Sequence, residues 1–138
     1  MIVLDTNVVS ELIRPEPDRL VLRWLEQQPH PELNTTAVSV AEIHYAICRL
    51  PAGRRRDQLT VAAEDIFRGF AWQIFPFSHS AALEYGALVA GRERAGRPIS
   101  ALDAQIAAIC LAAGCALATR NAADFADTGV EVLDPWTA

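Results

Sequence analysis

Lysine is missing from this sequence: all twelve basic side chains are arginine. That absence excludes a P-loop, whose Gly-Lys-Ser/Thr sets an amine on the phosphates, and it argues against Schiff-base or lysine-dependent phosphoryl-transfer chemistry. Cysteine is scarce too. Cys48, Cys110 and Cys115 are an odd number with no C-x-x-C spacing, and they read as buried thiols of a reducing cytosol. No basic segment precedes the opening apolar residues, so no signal peptide is expected. The longest apolar run, Ile106 to Ala118, is alanine-rich and broken by Gly114, which is too short to span a bilayer. The expectation is a cytoplasmic protein with no membrane segment.

What is present fits one domain over residues 1–138, with 51% hydrophobic and 21% charged residues, a balance typical of globular chains. Ile2-Val3-Leu4 suits a strand buried on both faces. Helices are predicted from Val8 to Arg14, stopped by Pro15 and Pro17, and from Asp18 until Pro29 and Pro31. Leu33 to Ala37 is the second strand, followed by a helix opened by Ser39 whose Ala41, Tyr45 and Cys48 share an apolar face with Val38. Arg54 to Phe70 is an amphipathic helix leading to a strand from Trp72 to Phe77. A long helix capped by Ser78 or Ser80 runs to Gly96 and Pro98, and an apolar helix runs from Ser100 to Ala113. Cys115 to Thr119 and Val130 to Leu133 are the last strands, with a turn or short helix at Asn121 to Phe125. Strands alternating with helices predict an α/β fold, a three-layer α/β/α sandwich around a mostly parallel sheet.

Four acidic signatures are set into this pattern: Ile2-Val3-Leu4-Asp5-Thr6-Asn7, Ser39-Val40-Ala41-Glu42, Ser100-Ala101-Leu102-Asp103-Ala104, and Thr119-Arg120-Asn121-Ala122-Ala123-Asp124-Phe125. Each puts a carboxylate at a strand end or a helix start, and such positions gather beyond the carboxyl edge of an open parallel sheet. Carboxylates brought together resist ionising unless a hard cation lies between them. The same spacing also fits helix capping, because Ser39 to Glu42, Ser100 to Asp103 and Asn121 to Asp124 match a capping box or a close relative of one, and Asp5 can cap the first helix. The two roles are compatible, since a carboxylate that favours a helix start can still turn its oxygens to a metal.

The order and wording of these motifs resemble the PIN-domain ribonucleases, in particular the small VapC-like toxins of bacterial toxin–antitoxin pairs, from the first residue to the last strand. The resemblance implies a PIN-like fold and a metal-dependent endoribonuclease using Mg²⁺ or Mn²⁺. It implies that Asp5, Glu42, Asp103 and Asp124 are the acidic quartet, with Asp5 and Asp103 the direct metal ligands and Glu42 and Asp124 completing the site directly or through water. Thr6, Asn7, Thr119 and Asn121 match the polar residues that orient those carboxylates. It further implies RNA as substrate, a cognate small DNA-binding antitoxin whose tail fills a groove lined by the early helices, and a homodimer formed through apolar helix surfaces around Glu42 and from Ser80 to Val89.

A net charge of −5 is unusual for an enzyme of nucleic acid, but one or two divalent ions would bring the loaded protein to between about −3 and −1. The groups Arg54-Arg55-Arg56 and Arg92/Arg94/Arg97 are either solvated helix faces or phosphate contacts. His44 reads as structural, His30 as exposed loop and His79 as a helix-start residue. Trp24 and Trp72 read as packing residues, and Trp136 as one that packs back or meets a neighbour. Two other functions fit an acidic site: a metal-dependent phosphatase for small phosphoesters, against which Asn7 and the missing lysine count, and a non-catalytic PIN-fold binding module.

Overall fold

The computed structural model describes residues 1–70 and 73–137. Among these residues, five short strands form one sheet: β1 (Ile2–Leu4), β2 (Leu33–Thr36), β3 (Ile74–Phe75), β4 (Ala116–Ala118) and β5 (Val132–Leu133). Their order is β3-β2-β1-β4-β5, and every pair is parallel. Successive residues of a strand point to opposite faces. Val3 and Leu117 therefore face one hydrophobic cluster, and Leu4 and Ala118 face the other.

Among the described residues, six α-helices cover the two faces: α1 (Thr6–Ile13), α2 (Arg19–Glu26), α3 (Ala37–Cys48), α4 (Arg54–Gly69), α5 (His79–Arg94) and α6 (Ala101–Ala113). The first four pack on the side of Leu4, where Val8, Val9, Ile13, Trp24, Ile43 and Ile47 are buried. The last two pack on the side of Val3, with Leu88, Ile106, Ile109 and Phe125. Residues 106 to 110 of α6 are all buried, so that helix has no polar stripe to separate from an apolar one. Gly114, at φ +68°, ends it in the left-handed conformation that favours glycine. The three-layer parallel arrangement predicted from the alternation of elements is the one observed.

Several boundaries move for identifiable reasons. Helix α3 starts two residues before Ser39, because Thr36 is the N-cap and accepts the Ser39 N–H at 3.1 Å. Its buried face carries Val38, Ser39, Ile43 and Ile47, while Tyr45 is 67% exposed. Cys48 lies on that open side and is exposed, unlike the buried Cys110 and Cys115. The predicted apolar face of Ala41, Tyr45 and Cys48 is thus the outer face. Ser78, not Ser80, caps α5, through the Ala81 N–H. The strand expected from Trp72 is seen at Ile74–Phe75, and Trp72 itself lies outside the described residues. No helix among the described residues is long and apolar enough to cross a membrane.

An acidic cleft at the sheet switch point

Strand β1 connects forward to β2 on one side and lies against β4 on the other, so the order of the sheet reverses between β1 and β4. Crevices for ligands open at such points, beyond the carboxyl ends of the strands. The Asp5 N–H continues the ladder by donating to Ala118 O at 2.9 Å, which brings the ends of the two strands side by side. A cleft of about 500 Å³ opens there, and its lining includes Asp5, Thr6, Asn7, Glu42, Asp103 and Asn121.

Asp5 is buried and doubly held. Its Oδ1 accepts from the Thr6 N–H at 2.8 Å, capping α1, and its Oδ2 accepts from Thr119 Oγ1 at 2.7 Å. Thr119 is fully buried, and its hydroxyl also accepts from Asn7 Nδ2 at 3.2 Å and from the Asn121 N–H at 3.1 Å. One donated and two accepted bonds use the capacity of a hydroxyl completely. Asn7 closes the group by accepting the Arg120 N–H at 3.3 Å.

Glu42 is oriented by a second chain of hydroxyls. Thr6 Oγ1 donates to Glu42 Oε1 at 2.8 Å and lies 2.9 Å from Ser39 Oγ, which in turn accepts from Thr36 Oγ1 at 3.4 Å. Because the cap is Thr36, Glu42 lies beyond the first turn of α3 and its carboxylate is turned to α1, so the capping-box reading of Ser39 and Glu42 does not hold. Ser100 does cap α6, accepting the Asp103 N–H at 3.2 Å, which fixes the helix start while the Asp103 side chain lines the cleft.

Asp124 stands apart. It lies exposed in a 3-10 turn (Ala122–Phe125) whose Asn121 makes no side-chain cap, and it is not among the residues lining the cleft. Its carboxylate nonetheless pushes the Asp103 carboxyl upward, in the same direction as the partial burial of Asp103 and against the Ser100 hydrogen bond. Three of the four predicted carboxylates therefore share the cleft, and the fourth, Asp124, lies outside its lining.

Burial pushes the Asp5 carboxyl up to about 6, and the Asp103 and Glu42 charges add to that rise against the hydrogen bonds from Thr119 and Thr6. None of the four carboxylates has an arginine ion-pair partner among the described residues. Hard oxygen donors, concentrated and without a counter-charge, fit Mg²⁺ or Mn²⁺. Among the described residues, no three His, Cys, Asp or Glu side chains close on one point.

The cleft also contains residues that the motif reading passed over. Ser10, Glu11 and Arg14 line it beside Asn7; spacings of three, four and seven residues put them on one helical face with Asn7, a signal visible in the sequence. Arg120 and Trp136 complete the wall. Arg120 sits inside the fourth motif, and Trp136 follows β5, which runs parallel to β4 and so delivers its following residues to the same edge. The group Arg92/Arg94/Arg97 is neither a solvated face nor a shared phosphate site: Arg92 is buried and Arg97 pairs with Asp127 at 2.6 Å. His44 is exposed rather than structural, His30 is exposed but opens a 3-10 turn (His30–Glu32) instead of lying in a loop, His79 starts α5 as expected, and none of the three lines the cleft.

Residues 2–131 match the family model of the PIN domain. The chain is 38% identical over 137 residues to the VapC ribonuclease Y4jK of Sinorhizobium fredii, covering 99% of this chain and 98% of that protein. It is 34% identical over 137 residues to the toxin FitB of Neisseria gonorrhoeae, covering 99% of each. The solved structure of FitAB bound to the IR36 DNA fragment superposes with a TM-score of 0.92 at 34% identity, covering 99% of this chain and 96% of that one. Likeness that runs from β1 through β5, in sequence and in backbone alike, makes this chain a member of the PIN-domain family.

Proposed function

We propose that the protein is a metal-dependent endoribonuclease, the toxin of a toxin–antitoxin pair. The observation that carries this reading is the set of three unneutralised carboxylates, Asp5, Glu42 and Asp103, facing one open cleft at the switch point. Asp5 and Asp103 would hold the ion, with Glu42 and Asp124 completing its surroundings through water. When bound, Mg²⁺ or Mn²⁺ supplies Lewis acidity at the phosphate and a lowered pKa for water. The chain's own contribution is positional: Thr119 and the Thr6 N–H fix both oxygens of Asp5, and Thr6 Oγ1 fixes Glu42. The names of the relatives, a VapC ribonuclease and a toxin, support the same reading.

The antitoxin has a suitable seat. A groove of about 870 Å³ runs between α1, α3 and α4, with an apolar floor that includes Ile13, Ile43, Ile47 and Leu59 and with Arg14 and Arg55 among its cations. Ser10 and Arg14 line both this groove and the acidic cleft, so a segment lying in the groove reaches the site. A chain solved as FitAB on a DNA fragment shares this fold, which supports a DNA-binding partner. Tyr45, Leu83 and Leu102, which are 67%, 66% and 46% exposed, supply the apolar surface for a homodimer.

The test is RNA cleavage by wild type and by Asp5→Asn. Wild type should cut RNA with Mg²⁺ or Mn²⁺ and stop in EDTA, and the folded variant should be inactive. Cleavage unaffected by EDTA, or a folded Asp5→Asn protein that cuts as wild type does, would remove the acidic site from the mechanism.

A further inference from the structure

Of the two arginines on the cleft wall, one is already paired and one is not. Arg14 Nη1 lies 3.0 and 3.2 Å from the two Glu11 oxygens. Arg120 makes no ion pair among the described residues, although it lines a cleft that contains Asp5, Glu42 and Asp103. Its guanidinium instead lies over the Trp136 ring, with Cζ 5.0 Å from the ring centroid.

Both members of this pair are held in place from behind. Arg120 follows the buried Thr119, and its main-chain N–H is tied to Asn7. Trp136 follows the buried Pro135, and its N–H donates to Asp134 Oδ1 at 2.9 Å. The Trp136 ring packs against the core on the α1 side but is only partly buried. Trp24 provides the contrast: it is 8% exposed, its side chain is enclosed in that core, and it lines no part of the cleft. A tryptophan needed only for packing resembles Trp24, whereas Trp136 keeps part of its surface in the cleft.

We infer that Arg120 and Trp136 form a nucleotide subsite, in which the base beside the cut phosphate rests on the aromatic and guanidinium surface and its phosphate is held by the Arg120 N–H groups. The inference rests on the RNA reading of the cleft. Arginine and aromatic side chains are suited to unstacked bases of single-stranded RNA, because every base offers a flat face and every linkage a phosphate. The unpaired charge is the part that packing does not explain. An anion supplied by substrate would neutralise Arg120 as Glu11 neutralises Arg14, and the rigid backing lowers the ordering cost of binding.

The test uses a fluorescein-labelled single-stranded oligouridylate, whose bases stack poorly on one another, and its abasic counterpart. Anisotropy is measured with Mg²⁺ present in an Asp103→Asn background, which should leave the probe uncut. The base-bearing probe should bind about tenfold more tightly than the abasic one. Adding Trp136→Ala should erase that preference, and Trp136→Phe should keep part of it while preserving the packing. Adding Arg120→Ala should weaken the binding of both probes and reduce the slope of log affinity against log salt by about 0.7, the share of one phosphate. Binding should also quench tryptophan emission, and the quench should fall in Trp136→Phe. A folded Trp136→Ala protein that retains the preference for bases, an Arg120→Ala protein with an unchanged salt slope, or a failure to bind either probe would overturn the inference. If the Asp103→Asn background cuts the probe, the acidic-site reading fails separately, and relative cleavage of the two probes by the Trp136 variants still decides the subsite.

Discussion

Thr119 Oγ1 donates to Asp5 Oδ2 at 2.7 Å and ties the end of β4 to the end of β1 across 114 residues of sequence. Because the same hydroxyl accepts from Asn7 and from the Asn121 N–H, it sets three residues of the cleft at once. Thr119→Val keeps the volume and removes the hydroxyl, so it should lower RNA cleavage or Mn²⁺ affinity by about 10- to 100-fold, the usual effect of losing a group that orients a ligand. Thr119→Ser should retain most activity. Titration of Mn²⁺ against both variants checks this, and equal affinity in the two would count against the hydroxyl.

Glu42→Gln leaves an oxygen to accept from Thr6 Oγ1, so the chain of hydroxyls from Thr36 can persist and thermal stability should change little. The charge is lost, and RNA cleavage should fall at least tenfold even at saturating Mn²⁺. Full activity in the Gln variant would mean that the hydrogen bond, not the charge, is what the site uses at this position.

The Asp5 carboxyl is raised to about 6 from an ordinary 3.8, so the metal-free folded protein holds a proton that the unfolded chain releases. The associated stability is fully present below pH 4 and is lost as pH rises through about 6. On the order of 2 kcal/mol should disappear from this group between pH 4 and pH 7. Urea titrations in EDTA should show that decline in wild type and a shallower one in Asp5→Asn. Parallel profiles would show that Asp5 ionises normally.

Asp103 is also raised, chiefly by burial. Replacing it by the amide removes a charge from the cleft at nearly constant shape, so Asp103→Asn should melt higher than wild type in EDTA near neutral pH. Mg²⁺ or Mn²⁺ at 100 times its Kd should add about 2.7 kcal/mol to wild type by mass action and much less to the variant. A wild type that melts identically with and without millimolar Mn²⁺, beside a variant that is less stable in both, would defeat a shared site.

Arg92 is 5% exposed, and its guanidinium donates to three carbonyls, those of Arg97, Asp124 and Ala126. It anchors the turn that bears Asp124 to α5. Arg92→Ala strands those carbonyls and should cost on the order of 3 kcal/mol in urea unfolding. Arg92→Lys, with one compact ammonium in place of a planar fork, should recover only part. A loss within about 0.5 kcal/mol, the scatter of ordinary surface changes, would show that water replaces the guanidinium.

The parallel sheet and the position of its acidic edge were legible in the sequence because strand, carboxylate and helix start are consecutive there: Leu4, Asp5 and Thr6 need no knowledge of distant contacts. Helix α3 was harder to read. Ser39 and Glu42 have capping-box spacing, yet Thr36 takes the cap, and only the three-dimensional neighbour Thr6 explains why Ser39 is buried and Glu42 turns to α1. The same limit applies to Arg92, whose acceptors are carbonyls that no residue type announces. Asp124 was placed by its motif among the other carboxylates, but the motif does not encode the angle at which the 3-10 turn leaves β4. Arg120 and Trp136 are separated by β5, and their contact depends on β4 and β5 being parallel neighbours.

Strand β1 lies in the middle of the sheet, with Leu4 paired to Ala118 on β4, and this arrangement has a consequence for the timing of synthesis. At about 5–20 residues per second on the ribosome, β1 waits roughly 6 to 23 seconds before β4 is made. Throughout that interval Asp5 lacks Thr119, Arg120 does not exist, and β1 has a bare edge where β4 will pair. A nascent chain of this protein therefore carries no finished cleft until β4 and β5 have left the ribosome and the whole sheet can close.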